Sequence, residues 1–416
     1  MSFKDIFSSN RIIVSSYFFI TALKFINAVF YFITYPFLIL KLGVETFGYY
    51  SFINGLMAYF IVVIDFGFEL PGMRGIVSCI ASSKEKQKIV SQIFTAKIYL
   101  ALACLSFLGI FLLLIPKFRV DSLLYFICFG TSCCRIIVPN WYFQAIQKNK
   151  ILTLISLSSK LISLPFIFLS INKSSDLIYY AAIIFFTNLL TGCLSVYWMY
   201  KYEGIVIRFS KYSQTKDWFK KGSPIFLSNF IAALKNQIAI IVIGFYFGMK
   251  QVAIYDLANK IVAVPNVFLS AITTALFPKI AAVKSRETIK RALKFNFLLG
   301  IVAILLLITL ARFFIVYTVG VQMVGAYYIV LALSLQTLTS FLVGSYIGFI
   351  FVPNERYKFV IQNQAVAVSS FFFFTAIGLV LSSNIIILAV ATSLSGLVEV
   401  LYCNFIIRKN ALLETV

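Results

Sequence analysis

Ten ionisable side chains fall inside stretches otherwise apolar enough for hydrocarbon: Lys24, Asp65, Glu69, Arg135, Lys160, Lys235, Asp256, Lys260, Arg312 and Glu399. Each costs roughly 2.5–3.5 kcal/mol near a bilayer centre, so such groups face a partner or a watery cavity. Lysines placed there attract a phosphate, most strongly where water is partly excluded. Carboxylates beside an arginine form a gate or bind a coupling cation. The chemistry of bond making is poorly served, because the chain has no histidine. Its seven cysteines are scattered, with neither metal-ligand spacing nor a disulfide framework. No Walker motif is present, and no metal site or cofactor is expected.

Lys24 has the clearest setting. Tyr17, Thr21, Lys24, Ala28, Tyr31 and Tyr35 repeat at helical spacing and form a polar, small-residue stripe. Such a stripe is expected to line water or sugar, with Lys24 ~20 Å from the inner end at 1.5 Å per residue. Lys160 with Ser156 and Ser163, and Lys235 with Ser228 and Ala232, are placed similarly. Lys24, Lys160 and Lys235, with Lys260 and Tyr31, are therefore the candidate substrate-binding residues. Asp256 and Lys260, four apart with the acid first, also fit an intrahelical pair. Asp65 and Glu69 share a helix face that Pro71-Gly72 is expected to end. With Arg135 at similar depth, they read as a gate, a coupling site or a fixed ion pair; Glu399 joins them as a gate or coupling candidate. Arg312, near a span end, is expected to snorkel.

The elements that hold these residues are membrane helices. The chain is 61% hydrophobic and 12% charged, about half the charge of a soluble protein. A bilayer core of about 30 Å needs roughly 20 apolar residues per helix. Hydropathy windows place spans near 12–38, 47–70, 92–115, 122–143, 151–171, 178–200, 222–247, 252–276, 293–316, 326–350, 359–381 and 385–407. The fold class expected is an all-α polytopic membrane protein with about 12 transmembrane helices. The first span is too long for a signal-peptide core and is kept as a mature helix. With the N-terminus inside, inner segments carry 25 Lys and Arg against five in outer loops, which puts both termini in the cytoplasm. Trp141, Trp198 and Trp218 then sit at the inner interface as belt residues. The +22 charge is spread over short loops, so it points to the lipid bilayer and not to nucleic acid.

A charged stretch, 201–221, divides two halves of about six spans each. The expected organisation is a six-helix bundle over 1–200, a cytoplasmic linker over 201–221 and a second six-helix bundle over 222–416. Inside the halves, LKLGVETFGYYSF (40–52) and FYFGMKQVAIYDL (245–257) align on Gly43 with Gly248 and Tyr50 with Tyr255. A duplicated, pseudo-symmetric bundle follows, the plan of many secondary transporters.

The LGVETFGYY pattern, the Asp65-Phe66-Gly67 ending of span two with Arg74 beyond, and the twelve-span layout resemble the O-antigen flippases. These are Wzx-type polysaccharide transporters of the MOP superfamily, a MATE-like architecture. The resemblance implies two six-helix lobes around a cationic lumen. It also implies transport of an undecaprenyl-pyrophosphate-linked oligosaccharide from the cytoplasmic to the periplasmic leaflet of the bacterial inner membrane by alternating access. An O-antigen polymerase and a chain-length regulator are the protein partners it implies. The mid-span lysines match by position, while the second half departs, with Ser270 at the offset equivalent of Asp65. A MATE-type drug/cation antiporter would share the fold but line its cavity mainly with carboxylates. An O-antigen polymerase, an enzyme, needs a large outer loop, and no expected outer loop exceeds about ten residues. The reading is a transporter, not an enzyme.

Overall fold

The computed structural model describes residues 11–283, 285–354, 356–410 and 412, with the side chains of 11–17, 117, 236, 274–279, 281–283 and 357 outside the description. Among these residues there is no strand. Twelve helical segments are long and apolar enough to cross a membrane, as the hydropathy windows predict. The all-helical, polytopic fold class is borne out. Its helices are α1 (Arg11–Leu42), α2 (Val44–Asp65), α3 (Glu69–Ser78), α4 (Ser83–Leu114), α5 (Ser122–Ile137), α6 (Asn140–Ala145) and α7 (Asn149–Ser170). They continue with α8 (Leu177–Glu203), α9 (Tyr212–Tyr246), α10 (Met249–Val283), α11 (Arg286–Thr318), α12 (Gly325–Tyr346), α13 (Tyr357–Leu381) and α14 (Ile386–Lys409).

Two spans are broken. α2 ends at Asp65, where Phe66 takes φ 40° and Gly67 φ 68°, and α3 begins at Glu69. The expected stop at Pro71-Gly72 is therefore displaced: Pro71 sits in the first turn of α3, where a missing N–H costs nothing. α5 breaks before Pro139 and resumes as α6. The two short pieces, α3 and α6, pack on one another. At their contact a Cβ on Gly72 would lie 2.9 Å from the Trp141 ring.

The chain forms two compact units, 1–26 with 41–233 and 27–40 with 234–416. In the first, α8 packs on α5 and α7, and α5 on α2. In the second, α12 packs on α10, α11 and α14, and α13 on α14. Below α12 the backbone passes through a π-helical turn, Ile347–Phe351, whose Phe349, Ile350 and Phe351 form a core with Ile280, Ile289 and Cys403.

The internal repeat has a backbone basis. Gly43 precedes α2 with φ 84° and Gly248 precedes α10 with φ 88°, and a Cβ on either would meet nothing within 4 Å. Glycine is needed there for conformation and not for space. Residues 201–221, expected as a tether, are helical to Glu203, without regular structure over 204–211 and helical again from Tyr212. The irregular piece lies on α4. The Arg208 N–H donates to Ser91 Oγ at 3.1 Å and the Ser210 N–H to Thr95 Oγ1 at 3.1 Å. Trp218 Nε1 donates to Gln92 Oε1 at 2.8 Å. Trp218 and Trp141 are buried, so these two are packing residues where the sequence suggested an interfacial belt. Their indoles fill space beside helix breaks, a role hydropathy cannot distinguish from an interface.

Candidate functional site

In the first unit the broken helix α2–α3 gathers charge. Asp65, the last residue of α2, accepts from Lys97 Nζ of α4 at 2.7 Å and from Arg135 Nη2 of α5 at 3.1 Å. Glu69, in the first turn of α3, stands 3.7 Å from the same Arg135 nitrogen. A carboxylate at the α2 C-terminus opposes the helix dipole, whereas Glu69 at a helix N-terminus is favoured by it. The two cations therefore offset both the Asp65 charge and the exposed carbonyls of the α2 end. Sequence reading pairs Asp65 with Arg135, and the structure brings them together. It misses Lys97, the more buried partner at 2% side-chain exposure against 38% for Arg135. Lys97 closes the basic run that begins at Lys84 and so reads as a loop residue.

A second cluster went unread. Glu203, at the end of α8, is held by Lys86 of α4 and Lys148, each at 2.8 Å. Lys148 also lies 5.0 Å over the Trp198 ring. This clamp joins α4, α8 and the α6–α7 turn, and only three-dimensional proximity identifies it.

Lys24 of α1 is exposed and Lys160 of α7 is half-buried. Thr153 of α7 donates to the Phe19 carbonyl at 3.0 Å, so α1 and α7 are tied five residues before Lys24. Ser156, Ser159 and Ser163 are buried, and Ser163 Oγ bonds the Lys160 carbonyl at 2.8 Å. The serines expected to share a wet face with Lys160 belong to packing instead.

In the second unit, Lys235 of α9 forms a short ion pair with Glu399 of α14. The other Glu399 oxygen accepts from Asn363 Nδ2 of α13 at 3.2 Å, and Cys403 Sγ bonds Asn363 Oδ1 at 3.4 Å. Lys235, Glu399 and Asn363 are all buried. The structure thus joins a candidate substrate lysine to a candidate gate acid, a pairing that sequence reading did not make. Tyr31 donates to Asp256 Oδ2 at 2.5 Å, while Lys260 lies 4.0 Å from Asp256 Oδ1 and 4.7 Å over the Tyr31 ring. Tyr35 is buried and donates to the Ala253 carbonyl at 2.8 Å. Tyr31 and Tyr35 are thereby bonded to α10, Tyr35 buried and Tyr31 half-buried; Tyr17 lies outside the described side chains. Among the described residues no cluster of His, Cys, Asp and Glu could hold a metal ion. Arg312 is exposed.

Comparison with known proteins places this arrangement. A family profile described as polysaccharide biosynthesis protein matches residues 13–284. A protein of Escherichia coli (strain K12) named "Putative O-antigen transporter" is 28% identical over 276 residues, covering 64% of this chain and 66% of that protein. One of the same name from Shigella dysenteriae is 24% identical over 269 residues, covering 63% and 65%. The matches thus span just under two thirds of these relatives' lengths. The structure of the lipid II flippase MurJ in an inward closed conformation superposes with a TM-score of 0.74 at 17% identity, covering 94% of this chain and 87% of that one. An inward-facing multidrug resistance MATE transporter of the MOP superfamily superposes with 0.72 at 12% identity, covering 95% and 96%. The resemblance read from the first outer turn and Asp65-Phe66-Gly67 holds: the fold is that of MOP-superfamily transporters, and the chain belongs to the polysaccharide biosynthesis protein family.

Proposed function

We propose that this protein is a flippase of the bacterial inner membrane. It translocates undecaprenyl-pyrophosphate-linked O-antigen repeat units from the cytoplasmic to the periplasmic leaflet by alternating access. Both termini lie in the cytoplasm, and an O-antigen polymerase and chain-length regulator act on the product. The observation that carries this reading is the balance of charge inside the spans. Asp65, Glu69, Asp256 and Glu399 each lie within 4.0 Å of a basic side chain. Seven basic residues (the six read from the sequence and Lys97) face these four acids. The membrane-embedded part is therefore net cationic, with its carboxylates already engaged. That suits a pyrophosphate and serves a cationic drug badly, which supports the flippase over an antiporter of the same fold. Lys24 and Lys160 are the groups we assign to the pyrophosphate. Lys235 is assigned to holding Glu399.

The test uses a strain that makes a matching lipid-linked repeat unit but lacks its own flippase. Expression of this chain should restore the surface O-antigen ladder and deplete the lipid-linked unit that accumulates inside. Sensitivity to cationic dyes should not change. Membrane-localised protein with no ladder and a lowered dye sensitivity would favour the antiporter.

A further inference from the structure

We infer that the irregular piece after α8, with the first turns of α9, is a surface for anionic phospholipid headgroups. Its exposed rings stand at the edge of the hydrocarbon and its cations at the lipid phosphates. The inference needs the chain to be in a bilayer and does not depend on what the chain carries.

The piece runs along α4. Lys86 holds Glu203 at 2.8 Å, Ser91 Oγ accepts from the Arg208 N–H and Thr95 Oγ1 from the Ser210 N–H. Further along α4, the Tyr99 ring meets Phe209 at 5.5 Å and Tyr212 at 6.0 Å. Phe209 and Tyr212 are nonetheless 68% and 61% exposed. Tyr99 is the second residue of Ile98–Leu114, a run without charge. The two rings are thus level with the start of the apolar part of α4. At that boundary an exposed ring is favoured, whereas in water it is not.

The cations stand beside these rings. Arg208 precedes Phe209 and Lys211 precedes Tyr212, while Tyr212, Lys216 and Lys220 recur four apart on one face of α9. At the end of α8, Lys201 Nζ lies 5.8 Å and 5.6 Å from the exposed Tyr197 and Tyr202 rings. Lys201, Arg208, Lys211, Lys216 and Lys220 are all exposed. Among the described residues no ion pair engages any of them. Glu203 is already taken by Lys86 and Lys148, which leaves Asp217 as the one exposed carboxylate of the stretch. The surface therefore lacks counter-charge. A headgroup with a net negative charge supplies it, and a zwitterionic one brings its own cation. Basic side chains with aromatic neighbours at the interface suit the former.

The test has two arms. In native mass spectrometry, with phosphatidylglycerol or phosphatidylcholine added separately, wild type should retain the glycerol lipid in preference. Arg208→Gln with Lys211→Gln should lower that preference by about fivefold per residue removed. Lys84→Gln with Lys88→Gln removes as much exposed charge at the start of α4, beside exposed Glu85, and should leave the preference intact. Equal retention of the two lipids by wild type, or equal loss in the two double variants, would overturn the assignment. For depth, Phe209→Trp adds one indole at an exposed position. In liposomes its added emission should be quenched by lipid brominated in the upper acyl chain and not by aqueous iodide. Quenching by iodide alone would place the surface in water, free for a soluble acidic partner, and would overturn the proposal.

Discussion

At the scale of single residues, the ion pairs of the two units differ in what they can be asked to do. Asp65 has two cations, one enclosed and one partly wet. Removing the enclosed one leaves Asp65 to the half-wet Arg135 and takes away its buried hydrogen bond, whereas removing the partly wet one loses a pair that solvent already screens, worth about 0–1 kcal/mol. Lys97→Gln should therefore lower the thermal unfolding temperature of the purified protein far more than Arg135→Gln. A larger loss in Arg135→Gln would mean that Arg135 is the structural partner and Lys97 the replaceable one. The Lys235–Glu399 pair lends itself to a cycle. Lys235→Met alone should destabilise by about 3–5 kcal/mol, and Lys235→Met with Glu399→Leu should recover most of it, because an apolar pair avoids the desolvation cost. If the double variant stays as unstable as the single one and also loses transport, Lys235 has a role beyond neutralising Glu399.

At the scale of elements, the turns and breaks decide where those residues stand. Gly43 has φ 84° and ψ 158°, a region that only glycine enters without a penalty of about 1–3 kcal/mol. Gly43→Ala and Gly248→Ala should each destabilise by roughly that amount, although no neighbour obstructs the added methyl. Indistinguishable unfolding curves would show that these turns relax without cost. Gly67 is constrained from outside as well, since a Cβ there would lie 2.8 Å from the Gly222 carbonyl oxygen. Much of this was legible. Glycines at matching offsets announced two like turns, and apolar runs announced twelve spans. The α2–α3 break was legible only approximately, because Pro71-Gly72 is the stronger local signal. The chain instead turns at Phe66-Gly67, where Phe66 stacks on Phe226 at 4.5 Å, a contact 160 residues away.

For the whole molecule, composition and hydropathy carried the fold class because burial in lipid is read residue by residue along the chain. Pairing is not read that way. Lys235 meets Glu399 across 164 positions, and no periodicity on either helix points to the other. Of the three mid-span lysines expected for the substrate, Lys235 is paired with Glu399, and we assign Lys24 and Lys160 to the substrate. Orientation is a separate expectation. Reporter fusions after Lys221 and at Val416 should show cytoplasm, and fusions at Glu45 and Ser383 should show periplasm. A periplasmic signal from the basic stretch would reverse the direction of transport proposed here.

The central claim is that cationic side chains carry the pyrophosphate, so charge at Lys24 should matter more than shape. Arginine keeps the charge and can grip phosphate with two hydrogen bonds; alanine removes the attraction, and glutamate replaces it with repulsion. Lys24 is exposed and outside the ion pairs described above, so these changes should leave protein levels unaltered. The decisive measurement is the O-antigen ladder of the flippase-deficient strain carrying each Lys24 variant at equal expression. Display should fall in the order wild type, Lys24→Arg, Lys24→Ala, Lys24→Glu, with the glutamate variant close to none. A normal ladder from Lys24→Glu would contradict the account.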